Sequence, residues 1–289
     1  MDILMNYAFQ IIALGTALLA AVAAPVGALS VYKGQSLIGD AIGHATFPGV
    51  VLAFMAFSTR SPAVLLVGAM AAAAVTFFAI QAAHENTRVG LNANLAVFLS
   101  GFFGLGMVLK SFIQGNEAYR GASQAGLETY IFGQAAYMLE ADVKLIAFVA
   151  ALCAALLFAF YKELKVFVFD AEYARAVGLP VRLLQVLLPF LTIAVIGIGI
   201  KAVGAILISS FLIIPCVAAS QWSDDFAHVL FLSAVFGVVA ALAGTYVSTL
   251  EQGMSTGPSI ILAASAIAFL SMFFGKRGAF RKRGRREEA

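Results

Sequence analysis

Residues 34–57, GQSLIGDAIGHATFPGVVLAFMAF, join an apolar run of membrane-spanning length to two ionisable side chains. About 20 apolar residues are enough for a helix to cross a bilayer. Asp40 and His44 stand four residues apart, so a helix places them one turn apart on a single face. A carboxylate at the bilayer centre costs about 3 kcal/mol or more, and such side chains normally face a polar cavity or a partner. The stretch therefore predicts a membrane helix that carries a functional site.

The composition of the whole chain is that of a membrane protein. Of its 289 residues, 62% are hydrophobic and 11% are charged, whereas an ordinary soluble domain has roughly 25% charged residues. Barrel strands would show short alternating segments, so the long apolar runs predict helices and an all-α integral membrane protein. We predict nine spans, at residues 7–31, 34–57, 62–83, 91–113, 143–161, 183–200, 203–219, 226–247 and 257–274.

The tract 183–219 leaves the number of spans open. Only Gly197, Gly199, Lys201 and Gly204 interrupt it, so eight spans with a re-entrant segment is the alternative. With nine spans and a cytoplasmic carboxyl terminus, the amino terminus lies outside; with eight, it lies inside.

The basic residues predict the orientation. The positive-inside rule makes the carboxyl-terminal end cytoplasmic, because it carries Lys276, Arg277, Arg281, Lys282, Arg283, Arg285 and Arg286. We expect this end to contact anionic lipid and no nucleic acid. The chain therefore divides into a transmembrane domain, residues 1–278, and a basic cytoplasmic tail, residues 279–289.

Asp40 and His44 offer a carboxylate oxygen and an imidazole nitrogen, both of which are metal ligands. Two ligands hold a divalent ion weakly, but a twofold dimer with this helix at its axis would supply two Asp and two His. Pro48 lacks the N–H that would bond back to the His44 carbonyl, which frees that oxygen beside the site. The alternative is that Asp40 and His44 satisfy each other or a neighbouring helix and bind no ion.

Other side chains with ligand chemistry are less informative. Cys153 and Cys216 lie in apolar runs without a nearby partner and are predicted to be packing residues. Sequence does not decide whether Cys216, Glu251 or Met254 lines a path through the membrane. His84 and His228 fall at span ends, where we expect contact with water.

The loop 162–183, KELKVFVFDAEYARAVGLPVRL, contains the signals of a short helix. Gly178 followed by Pro180 is a helix stop, and the position between two spans predicts a helix along the membrane surface. A passive surface helix and a docking site for a cytosolic partner fit equally well. A second short interfacial helix is predicted at 126–139, in the long outer loop.

The chain lacks several catalytic patterns. No glycine-rich phosphate loop with a following Lys and Ser or Thr is present, and neither HExxH nor GxSxG occurs. These absences disfavour ATP binding of that kind and a protease or hydrolase. A metal-cation conduit remains, which can be a channel, a secondary transporter or the membrane half of a pump.

Five stretches together resemble the permease subunits of the manganese, zinc and iron family of bacterial ABC importers. They are KGQSLIGDAIGHATFPGVVLAF, QAGLETYIFGQAA, YKELKVFVFDAEYARAVGLP, AVGAILISSFLIIPCVAASQW and STGPSIIL, in family order over nearly the whole chain. The outer loop and the KELK segment are most similar to the manganese/iron subgroup. Four positions depart from the usual family residue: Gly43 for Ser, Tyr32 for a basic residue, Cys216 for Ala and Ser220 for Arg.

The resemblance implies a permease in the bacterial cell membrane with no catalytic residues and no permanently bound cofactor. It implies a homodimer that works with two cytosolic ATP-binding cassette subunits and an extracytoplasmic metal-binding protein. The transported ion would be Mn²⁺ foremost, with Zn²⁺ or Fe²⁺ as alternatives; Cys216 would favour a softer metal if it faced the path. A siderophore or vitamin permease and a secondary cation transporter are the rival functions.

The resemblance also assigns roles to residues. The family's metal-binding pair falls on Asp40 and His44. The family's ATPase-coupling helix falls on Asp170, Ala171, Glu172, Tyr173, Ala174, Arg175, Ala176, Val177, Gly178 and Leu179.

Overall fold

The computed structural model describes residues 6–59, 61–116, 133, 135, 138–250 and 254–278, with the backbone alone at residue 201. Within these ranges the chain forms helices and no strands. They are α1 (Tyr7–Tyr32), α2 (Ile38–Phe57), α3 (Pro62–Asn86), α4 (Leu91–Gly115), α5 (Glu140–Ala159), α6 (Tyr161–Phe169), α7 (Ala171–Ala176), α8 (Val181–Ser220), α9 (Phe226–Ser248) and α10 (Thr256–Phe274).

Helix α8 contains two membrane spans. Its backbone breaks at Gly204, where φ is 82° and ψ is 166°, a conformation that side chains other than glycine rarely adopt. Two segments of α8 are each long and apolar enough to cross a membrane: α8a (Val181–Ile200) and α8b (Ala202–Ser220), with Gly204 in the first turn of α8b. Counting both, the described residues form nine candidate spans. The predicted all-α fold with nine spans is therefore confirmed.

Four spans form the centre of the bundle. In an 18-residue apolar stretch of each span, 67% of the residues are buried in α1 and in α2, and 72% in α8a and in α8b. The corresponding fractions are 11% in α4 and 22% in α5. Helix α2 packs against α3, α4 and α8, while α1 packs against α8 and α9. The peripheral helices expose large apolar side chains such as Val97 and Phe148, which hydrocarbon would cover in a membrane. The helix with the ionisable pair thus belongs to the centre.

The loop 162–183 forms two short helices, α6 and α7, separated only by Asp170. The predicted surface helix at 170–179 corresponds to α7 with its two caps. The helix predicted at 126–139 lies outside the described residues except at 133, 135, 138 and 139. The basic tail, 279–289, lies outside them entirely.

Candidate metal site

Asp40 and His44 lie together in the first half of α2. Nε2 of His44 is 3.5 Å from Oδ1 of Asp40, and in the single chain the two side chains are 19% and 32% exposed, respectively. Both side chains are therefore partly exposed and partly covered by the protein. With imidazole in its neutral form, the pair presents a nitrogen and a carboxylate oxygen to one small volume. The spacing in the sequence predicted this arrangement.

Helices α4 and α8b stand on either side of the pair. The His44 ring makes an edge contact with Phe103 of α4, with centroids 5.1 Å apart and ring planes at 83°. On the other side, a Cβ atom on Gly43 would lie 3.3 Å from Oγ of Ser209 in α8b. At about 100° per residue, Asp40 falls between Gly43 and His44 on the helix face. Asp40 therefore faces the gap between α4 and α8b.

Among the described residues, Asp40 and His44 are the candidate ligands that a single chain brings together at this place. Nowhere in the described ranges do three or more His, Cys, Asp or Glu side chains gather closely enough to hold a metal ion. The thiols of Cys153 and Cys216 are free and buried, as predicted for packing residues. Met254 is 43% exposed, and Glu251 lies outside the described residues.

The two remaining histidines stand away from the pair. His84 is exposed in the last turn of α3. His228 is exposed near the start of α9, where Nδ1 lies 2.6 Å from Oδ2 of Asp225. This hydrogen bond is the main reason that the pKa of Asp225 is lowered. Both histidines lie at helix ends, as expected.

Helix α7 is short, and hydrogen bonds cap both of its ends. Oδ1 of Asp170 accepts a hydrogen bond from the Tyr173 N–H at 2.8 Å. At the other end, Gly178 has φ of +81°, and the Leu179 N–H donates to the Ala174 carbonyl at 3.0 Å, the pattern of a Schellman cap. Ala174 alone among the helix residues is buried; the exposed positions of the 170–179 segment are Asp170, Glu172, Tyr173, Arg175, Ala176, Val177 and Gly178. The segment therefore presents most of its surface outward.

An aromatic cluster that the sequence did not reveal joins α6 to the ends of α1 and α9. The rings of Tyr32, Phe169 and Phe226 are in mutual edge contact, with centroids 5.2 to 5.6 Å apart. Beside it, Nζ of Lys33 lies 4.2 Å from the ring centroid of Phe167. Burial lowers the pKa of Lys33 to about 8. These residues are far apart in the sequence, and no local pattern indicates their contact.

Two contacts between oppositely charged side chains lie at the end of the bundle that carries this aromatic cluster. Lys165 of α6 lies 4.0 Å from Asp225, and Arg277, just after α10, forms an ion pair with Asp224. The N–H of Arg277 also donates to the Gln221 carbonyl at 3.1 Å. The start of the carboxyl-terminal segment is thus on the side of the bundle that carries α6 and α7.

Comparison with known proteins decides the family. The sequence matches the ABC 3 transport family over residues 5–275. The chain belongs to this family. The manganese transport system membrane protein MntC of Bacillus subtilis (strain 168) is 37% identical to this ABC 3 family member over 265 residues, which are 91% of this chain. The chain spans 60% of the length of that relative.

Two further proteins are similar along most of their own length. The zinc transport system membrane protein TroC of Treponema pallidum (strain Nichols) is 35% identical over 275 residues, which cover 95% of this chain and 91% of TroC. The structure of PsaBC from Streptococcus pneumoniae in complex with Fab contains a chain of 27% identity and TM-score 0.82, with 100% of this chain and 98% of that chain covered. The resemblance seen in the sequence is confirmed for the family and for the fold.

Proposed function

We propose that this ABC 3 family chain is the membrane subunit of an ATP-driven importer for a divalent transition metal, with Mn²⁺ as the first candidate. The Asp40–His44 pair carries the proposal, because it places two metal ligands 3.5 Å apart in a central, otherwise apolar helix. The metal class is supported by two relatives that are named as manganese and zinc transport proteins. Oxygen and imidazole ligands accept Mn²⁺, Zn²⁺ and Fe²⁺, so Zn²⁺ and Fe²⁺ are the alternative cargoes.

A second copy of the chain would complete the site. Each copy contributes Asp40 and His44, and a twofold axis beside the gap between α4 and α8b would bring four ligands together. The two carboxylates would balance the charge of a divalent ion, while the neutral imidazoles would supply nitrogen. Protons compete with the metal for both ligand types, so binding weakens as the pH falls.

ATP hydrolysis belongs to a partner subunit in this proposal. The chain has no phosphate-binding loop, and α7 offers an exposed, well-capped surface for docking. Lys33, Lys165 and Arg277 lie at the same end as α7, and a surplus of basic residues is typical of the cytoplasmic side. The opposite end would receive the ion from an extracytoplasmic binding protein.

Element-resolved metal accumulation tests the proposal. Cells that carry the whole transporter are compared with cells carrying Asp40→Ala or His44→Ala, and His84→Ala is the matched control because His84 is exposed at the end of α3. We expect both site variants to lose accumulation of one metal, with His84→Ala at the native level. The element lost identifies the cargo. Native accumulation in both site variants, or uptake without any ATPase subunit, would contradict the proposal.

A further inference from the structure

Backbone hydrogen bonds link the turn between α1 and α2 to both helices. The Lys33 N–H donates to the Leu29 carbonyl at 3.0 Å, the Gln35 N–H to the Ser30 carbonyl at 2.9 Å, and the Ile38 N–H to the Gln35 carbonyl at 3.0 Å. Asp40 follows in the first turn of α2. These hydrogen bonds give a short backbone connection from Lys33 to the start of α2.

Helix α6 holds this turn through side chains. Lys33 is half-buried, with its ammonium 4.2 Å from the Phe167 ring centroid, and Phe167 is 1% exposed. An ammonium over an aromatic face is attracted by the ring quadrupole, and the attraction strengthens as the pair loses contact with water. The neighbouring residue, Tyr32, touches Phe169 of α6. Two consecutive residues at the end of α1 are thus bound to α6.

Helices α6 and α7 are joined rigidly. Asp170 is the single residue between them, and its N–H donates to the Val166 carbonyl at 2.9 Å. Its carbonyl accepts from the Ala174 N–H at 3.0 Å, and its carboxylate accepts from the Tyr173 N–H at 2.8 Å. Movement of α7 is therefore carried to the end of α6, where Phe167 and Phe169 lie.

We propose that Lys33 is a positioning residue whose contact with the Phe167 ring links movement of α7 to the α2 helix that bears Asp40 and His44. The inference rests on the proposed function, in which α7 receives the ATPase and the α2 pair holds the ion. A partner that displaces α7 also displaces α6 and the Phe167 ring. Because the Lys33 ammonium is attracted to that ring, Lys33 moves with it. The turn that follows Lys33 then shifts the start of α2. Lys33 itself does not touch the ion, so its loss leaves the metal ligands in place.

The test measures metal ions transported per ATP hydrolysed, in the whole transporter reconstituted in vesicles with Mn²⁺. Lys33→Met keeps the apolar stem and removes the charge, and it should lower this ratio about fivefold, the factor that corresponds to one cation–π contact. Equilibrium Mn²⁺ binding should remain native, which also shows that the variant is folded. Lys33→Arg keeps a cation over the ring and should restore the ratio. Lys162→Met, at an exposed lysine of α6, is the matched control.

A double-mutant cycle isolates the contact. Phe167→Leu should lower the ratio as Lys33→Met does, and the double variant should be no worse than either single variant. A native ratio in Lys33→Met, an additive loss in the double variant, or no restoration by Lys33→Arg would overturn the inference. If the native transporter itself neither binds nor accumulates metal, the proposed function fails and this inference with it. Native uptake with an unchanged Lys33→Met ratio overturns this inference alone.

Discussion

Gly27 of α1 packs directly against the backbone of Leu212 in α8b. A Cβ atom at this position would lie 2.5 Å from the carbonyl carbon of Leu212, and closer still to the Cα and carbonyl oxygen of that residue. That distance is 0.9 Å short of the 3.4 Å at which ordinary contact begins. The obstructing atoms are backbone, so no side-chain rotation relieves the clash. Gly27→Ala therefore requires α1 and α8b to separate.

The expected loss follows from overpacking, which typically costs about 1–3 kcal/mol. Gly237→Ala is the matched control, because a Cβ atom there would meet the Ala20 carbonyl oxygen at 3.2 Å and no other atom closer than 3.4 Å. Both substitutions gain the same helix propensity of about 1 kcal/mol, which cancels in the comparison. At about 2–4 °C per kcal/mol for a chain of this size, we expect Gly27→Ala to melt roughly 2–12 °C below Gly237→Ala in detergent.

The same displacement should reach the proposed metal site. Leu212 also packs on Gly39, where a Cβ atom would lie 2.6 Å from Leu212 Cδ1, and Gly39 precedes Asp40. Metal accumulation by Gly27→Ala should therefore fall below that of Gly237→Ala. Equal melting temperatures for the two variants would refute the reasoning about this helix contact.

Two further predictions concern the end of the bundle that carries α7. The lowered pKa of Asp225 means that its carboxylate stabilises the fold above the unfolded pKa of about 3.9, and that this stability is lost as the pH falls through the folded pKa. Asp225→Asn keeps the α9 cap and should lose less thermal stability than the native chain between about pH 6 and pH 3; an equal loss would contradict this. Replacing Tyr173 and Val177, both exposed on the α7 segment, by Ala should abolish uptake while equilibrium Mn²⁺ binding stays native, and normal uptake would exclude the docking role.

The features predictable from the sequence are those that depend on neighbours within a helical turn. The spacing of Asp40 and His44 predicted their contact, and Gly178 with Pro180 predicted the end of α7. Gly204 was visible as an interruption, but an apolar tract does not show whether a glycine divides it. The positive φ at Gly204 was visible only in the structure.

Contacts between distant segments were not predictable. Nothing in the sequence indicates that Lys33 meets Phe167, or that Phe103 covers one side of His44, because both contacts depend on which helices become neighbours. Apolar membrane helices have similar sequences whatever their neighbours are, so hydropathy predicts the spans and not their arrangement. The contact between Asp40 and His44 was therefore predictable, whereas its position in the gap between α4 and α8b was not.

Equilibrium binding of Mn²⁺ to the purified chain tests the central claim, that Asp40 and His44 hold the transported ion. Bound metal would be measured in detergent for the native chain, Asp40→Ala, His44→Ala and the control His84→Ala. We predict saturable binding that weakens as the pH is lowered, native binding in the control, and an affinity reduced by about 100-fold or more in both site variants. Native affinity in Asp40→Ala or His44→Ala would show that the ion binds elsewhere.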